Sequence, residues 1–230
     1  LYQQWLRTGD PLYWHHATYT VAGYLDDYVR RNNGVIAPWH SNPFGLALHY
    51  LATGSEDTRY QLRYVAETMG WFLRDNWMAR PIGDDRGRAQ ALLAALAARL
   101  IEAIEPLPGQ RTTMYTPFAS ATILARWIGD IERSQAASGL FPAENGWYGH
   151  GQKNFMVGML LIGLTHYYDD VSADARIPRI VKKSLDYMLA HEWKRDSLGF
   201  KYVSAPRYDA TGRLLEGASI QPALNGLIVP

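Results

Sequence analysis

The chain has 230 residues, 47% hydrophobic and 20% charged, enough to bury a large core, which excludes a disordered or fibrous protein. Lysine and arginine (23) nearly balance aspartate and glutamate (22), so no global field draws it to nucleic acid or to an anionic membrane, and neither is expected as a partner. Cysteine is absent, which excludes disulfides, thiolate metal sites and cysteine nucleophiles but leaves the compartment open.

No apolar run is long enough to span a bilayer and no signal-type start is visible, so the chain reads as soluble. Eight tryptophans and fifteen tyrosines supply side chains with an apolar face and a polar edge, suited to core packing or to stacking on sugars.

In chain order, three segments align on their turns: "LYQQWLRTGDPLYW", "ALHYLATGSEDTRY" and "LTHYYDDVSADARI". In each, a helix meets a short polar turn (Thr8 to Asp10, Thr53 to Asp57, Asp169 to Asp174) and a second helix begins, so the repeating unit is a helical hairpin. The pattern predicts an outer helix from Pro11 to Arg31 and an inner one from Pro43 to Ala52, opened by Ser41 or Asn42 as cap with Pro43 at the first position. Next come an outer helix from Asp57 to Trp77 and an inner one from Gly87 to Ile104, apolar on most of its circumference. The second half predicts an outer helix from Pro117 to Ser134, an inner one from Gly151 to Tyr168 and an outer one from Asp174 to Trp193. "GFKYVSAPRYDATGRLL" predicts a β-hairpin about "DATG", and a further inner helix opens near Gln221. Leu1 falls inside a helical pattern and Pro230 ends one just opened, so residues 1–230 are expected to be one domain of a longer chain.

If tight turns share one end of such hairpins, the longer connections gather at the other: Asn32 to Asn42, Met78 to Arg86, Ser138 to His150 and Lys194 to Ile220. They carry Trp39, His40, Asn42, Asp84, Asp85, Arg86, Glu144, Trp147, Tyr148, His150, Lys153 and Asn154 towards one expected basin, into which inner-helix N-termini point free N–H groups.

Turns of the "YLATGSEDTRY" type, with helices opening as "DDRGRAQALLAALAARL" and "GHGQKNFMVGMLLIGLTHYY", resemble the (α/α) toroid proteins of the six-hairpin glycosidase class and related polysaccharide lyases. The resemblance lies in architecture and turn pattern, so no catalytic residue is carried over. It implies an all-α, incomplete (α/α) toroid with a small inserted β-hairpin, acting on an oligo- or polysaccharide at its long-connection face. A polysaccharide substrate would make a secreted or periplasmic location natural.

Three chemistries fit the basin. Hydrolysis, the favoured one, needs two carboxylates, and Asp84 or Asp85 with Glu144 is the candidate pair. One of the adjacent aspartates is expected to cap its helix instead. Elimination beside a uronate carboxyl needs a base (His40 or His150), an acid (Tyr148) and a neutraliser (Arg86, Lys153 or Asn154). A non-catalytic module would use the aromatics, Trp39 and Trp147 among them, to stack on sugar rings. His49 and His166 fall near the tight turns and are expected to pack. No cofactor or metal is expected: "HEW" lacks a second zinc histidine, and His15 and His16 point roughly 100° apart on a helix.

Overall fold

The computed structural model describes residues 1–37, 40–72, 85–103, 109, 119–142, 152–204, 207–208 and 214–216. These are predominantly helical: α1 (Tyr2–Thr8), α2 (Pro11–Tyr24), a π-helical turn π1 (Leu25–Arg30), α3 (Pro43–Thr53), α4 (Glu56–Phe72), α5 (Asp85–Leu100), α6 (Ala121–Ser134), α7 (Asn154–Asp170), α8 (Arg176–Tyr187) and a second π-helical turn π2 (Met188–Glu192). Short strands follow: β1 (Trp193–Lys194) pairs antiparallel with β2 (Gly199–Phe200), and β3 (Arg207–Tyr208) with β4 (Leu214–Glu216). No described helix is long and apolar enough to cross a membrane.

The chain forms two compact units, Leu1–Arg74 with Gln90–Ile123, and Asp75–Ala89 with Leu124–Pro230. In the first unit the hairpin turns are closed by local backbone chemistry. Gly9 (φ 69°) and Gly54 (φ 68°) take the left-handed conformation that ends α1 and α3. Asp10 accepts from the Leu12 N–H at 2.9 Å ahead of Pro11, and Ser55 accepts from the Thr58 N–H at 3.3 Å. In the second unit Asp174 accepts from the Arg176 N–H at 2.9 Å and opens α8.

The α3–α4 hairpin departs from the expected order of burial. α3, expected inside, is half exposed, whereas α4, expected outside, is buried from Gln61 to Gly70 except Tyr64. The reason is a pair of charges one helical turn apart. Arg63 and Glu67 are both 0% exposed and ion-paired to each other, so the charges that suggested a solvent face neutralise one another inside. Thr68 adds an inward hydroxyl that donates to the Gly34 carbonyl at 2.6 Å. α5, α7 and α8 follow expectation: α5 buries Ala91, Ala94, Ala95, Ala97 and Ala98, α7 is buried over most of its length, and α8 buries only the stripe Ile177, Ile180 and Ser184, whereas α6, expected outside, is buried from Trp127 to Ile131.

Of the β-structure, β3 and β4 pair about "DATG" as expected. Residues 199–204, expected in the same hairpin, instead turn back onto β1 and then cross the start of α7, where Val203 bridges Lys153. The helix expected near Gln221 lies outside the described residues.

Candidate functional site

Six of the expected site residues, Trp39, Asp84, Glu144, Trp147, Tyr148 and His150, lie outside the described residues. The other six fall in the two units.

In the first unit, His40 and Asn42 flank the start of α3. Asn42 is its cap, its side-chain oxygen accepting from the Gly45 N–H at 3.2 Å, so the residue expected to bind substrate is engaged in holding the helix. His40 is exposed, and its Nδ1 lies 3.1 Å from the Tyr28 hydroxyl, with the rings edge to face at 5.2 Å. The same hydroxyl accepts the Ala37 N–H at 3.1 Å, which leaves its proton to share with His40. Tyr24 donates to the His40 carbonyl at 2.9 Å, and burial pushes its phenol up to about 12, so it remains a donor at neutral pH.

Tyr28 sits inside π1, and a widened turn of this kind changes the direction of the side chains that follow it; such turns often mark functional positions. The second unit repeats the arrangement. Tyr24, Leu25 and Tyr28 correspond to Tyr187, Met188 and His191 about π2, and the Tyr187 and His191 rings lie 4.8 Å apart as Tyr24 and Tyr28 lie 5.8 Å apart. "YLDDYV" and "YMLAHE" are the trace of this in the sequence, an aromatic at each end of a five-residue window, and sequence reasoning passed over it.

In the second unit, Asp85 is 1% exposed and ion-paired at 3.2 Å to Arg88, which also donates to the Ser134 hydroxyl at 3.0 Å. The Asp85 carboxylate is thus engaged by Arg88 within the packed interior. Arg86 places its guanidinium over the Phe155 ring at 5.2 Å, Phe155 stacks on Tyr202 at 5.5 Å, and Lys153 sits over Tyr202 at 5.3 Å. Two expected charge neutralisers are thus held by one pair of stacked rings, each gaining from the negative face of an aromatic.

The start of α7 is not an open anion site. Asn154 is 0% exposed; its N–H meets the Tyr202 carbonyl at 3.3 Å, its amide donates to the Lys201 carbonyl at 2.7 Å, and it accepts from Gln152 at 2.7 Å. Gln152 in turn accepts from the Phe141 N–H at 2.9 Å, and its own carbonyl takes the Ser204 N–H at 3.0 Å. Residues 201–204 are therefore a strap tied across the helix start, and they carry Tyr202 to Phe155.

The strap is anchored at its other edge by Glu192, a carboxylate 2% exposed. Lys201 lies 3.7 Å from it and donates to the His191 carbonyl at 2.6 Å. Burial, and after it the negative charge of Glu192, pushes the Tyr187 phenol above its ordinary value.

Of the two histidines expected to pack, His49 is half-buried, whereas His166 lies at the surface. The Tyr2 hydroxyl and His49 Nδ1 share a hydrogen bond of 2.5 Å, and burial holds the His49 imidazole below its ordinary value; His166 lies 3.4 Å from Asp170 one turn on. The described residues define a helical-hairpin protein with an exposed histidine–tyrosine pair in one unit and a cation–aromatic cluster under a strap in the other. Comparison with protein-family models, curated proteins and solved structures finds no match.

Proposed function

We propose that this chain is a carbohydrate-active enzyme of incomplete (α/α)-toroid architecture that cleaves glycosidic bonds in an oligo- or polysaccharide. The observation that carries the proposal is the exposed His40–Tyr28 pair on the connection ahead of α3, held by Ala37 and Tyr24 and set in a π-helical turn. A nitrogen and a phenol 3.1 Å apart supply the base and acid that β-elimination requires. His40 takes the proton from the carbon beside a uronate carboxyl, and that C–H electron pair becomes the new double bond. The C–O bond to the leaving sugar breaks, and its oxygen receives the Tyr28 proton. The balance of the two cleavage chemistries thereby moves towards elimination, because Asp85, half of one candidate hydrolytic pair, is committed to Arg88. Hydrolysis then rests on Asp84 and Glu144.

The test is incubation with neutral and uronate-containing polysaccharides, following both reducing ends and the ultraviolet absorbance of an unsaturated product. Absorbance that disappears in His40→Gln and Tyr28→Phe supports elimination. Reducing ends without absorbance, lost in Glu144→Gln, select hydrolysis. Glycan binding without either product leaves a binding module and sinks the proposal.

A further inference from the structure

Of the described arginines that are wholly or partly withdrawn from solvent, Arg86 is the exception. Arg63, Arg88 and Arg176 pair with Glu67, Asp85 and Asp174, while Arg59 and Arg99 donate to the carbonyls of Glu102 and Ala119. Arg86, half-buried in the first turn of α5, bonds neither a carboxylate nor a carbonyl among the described residues. Its Nε is enclosed and has no hydrogen-bond partner. Asp85, the carboxylate beside it in the sequence, is taken by Arg88 at 3.2 Å.

Arg86 has a ring instead, its guanidinium lying over Phe155 at 5.2 Å. A ring face meets the charge of a guanidinium but supplies no oxygen to the N–H donors fanned out in its plane. Lys153, 4% exposed, brings a second positive charge over Tyr202, the ring that stacks on Phe155 at 5.5 Å. Two like charges on one ring pair, in surroundings drier than water, favour an oxyanion. The aromatic backing also fixes the guanidinium in advance, so a ligand meets a fork that is already ordered.

We infer that Arg86, backed by Phe155 and with Lys153 as the second cation, is a carboxylate subsite in the second unit that takes a uronic acid residue of a glycan. The planar guanidinium matches a carboxylate through two parallel charged hydrogen bonds, a match that neutral sugar hydroxyls do not offer. The choice of a sugar acid rests on the functional reading above; the subsite itself rests on Arg86.

Isothermal calorimetry with trigalacturonate and with neutral maltotriose tests this, in the His40→Gln chain so that the ligand survives the titration. Trigalacturonate is expected to bind at least about tenfold more tightly, the worth of one charged hydrogen bond. Arg86→Gln in the same chain should abolish the difference, and Arg86→Lys, which keeps the charge but not the fork, should retain only part of it. Lys182→Gln removes the same charge from the surface of α8 and should leave the difference unchanged. Equal affinity for the two trimers, or a preference that survives Arg86→Gln, overturns the inference. Should Arg86→Gln fail to fold, Arg86→Lys decides, and full affinity for trigalacturonate there overturns it too. Failure of the functional reading is distinct: a preference that depends on Arg86 in a chain whose parent cleaves no glycan keeps the subsite and removes the enzyme. Cleavage of a uronate polysaccharide with a KM indifferent to Arg86→Gln keeps the enzyme and removes the subsite.

Discussion

Asn154→Ala separates two roles for the residue that opens α7. A substrate contact would lose glycan binding and little stability; a tie for the strap would lose stability first. The side chain is 0% exposed and makes two hydrogen bonds of 2.7 Å, from Gln152 and to the Lys201 carbonyl. Alanine removes both and leaves a buried donor and a buried acceptor unsatisfied, which together cost about 3 kcal/mol. For a chain of this length that is roughly 6–12 °C in melting temperature. Denaturant unfolding measures the loss, and hydrogen exchange locates it: the Ser204 amide, bonded to the Gln152 carbonyl at 3.0 Å, should exchange faster. Asn154→Asp keeps the acceptor for Gln152 but turns a carboxylate oxygen towards the Lys201 carbonyl, so it should be no more stable than the alanine variant. A loss under about 1 kcal/mol in Asn154→Ala, with Ser204 still protected, would refute the strap argument.

Three further outcomes follow from particular contacts. Glu67→Gln removes the charge that pairs with the buried Arg63 guanidinium and should cost about 3–5 kcal/mol, while Arg63→Met with Glu67→Leu recovers most of it, read from paired denaturation curves. Gly139 has φ 99°, and a Cβ there would meet the Lys183 carbonyl oxygen at 2.0 Å, so Gly139→Ala should destabilise the second unit by about 3 kcal/mol, with an unchanged melting curve as the contrary result. His49 is held below its ordinary value by burial, so the unfolded chain binds the proton more readily. Its contribution is complete above about pH 6.5 and is lost as the pH falls below that value. Denaturation midpoints between pH 7.5 and 5 should therefore fall less steeply in His49→Gln than in the parent; parallel slopes would show that His49 is not responsible.

Most of the helical order was legible in the sequence because helices declare themselves locally. Asn42 with Pro43 acts on backbone groups within a few residues and appears where the pattern placed it, and Asp10 with Pro11 and the glycines after Thr8 and Thr53 close their turns by the same local chemistry. The site was less legible. Asn42, Asp85 and Asn154 were selected as polar residues near helix starts, and a helix start draws polar residues for its own satisfaction as readily as for a ligand. Tyr28 and Tyr202 were missed because their importance depends on His40, twelve residues on from Tyr28, and on Phe155, far back in the chain from Tyr202.

By itself the sequence determined the helical class, the hairpin turns, the caps and the hairpin about "DATG", since each depends on spacings of a few residues. Tertiary structure alone decided which member of the α3–α4 hairpin is buried, because Arg63 and Glu67 enter the interior only as a neutral pair whose cost depends on everything packed around them. It alone turned residues 199–204 into a strap over α7, because the carbonyls of Lys201 and Tyr202 meet Asn154 only when segments some fifty residues apart are brought together. Local chemistry is written in neighbouring residues, whereas desolvation and long-range hydrogen bonding are settled only when the chain has closed on itself.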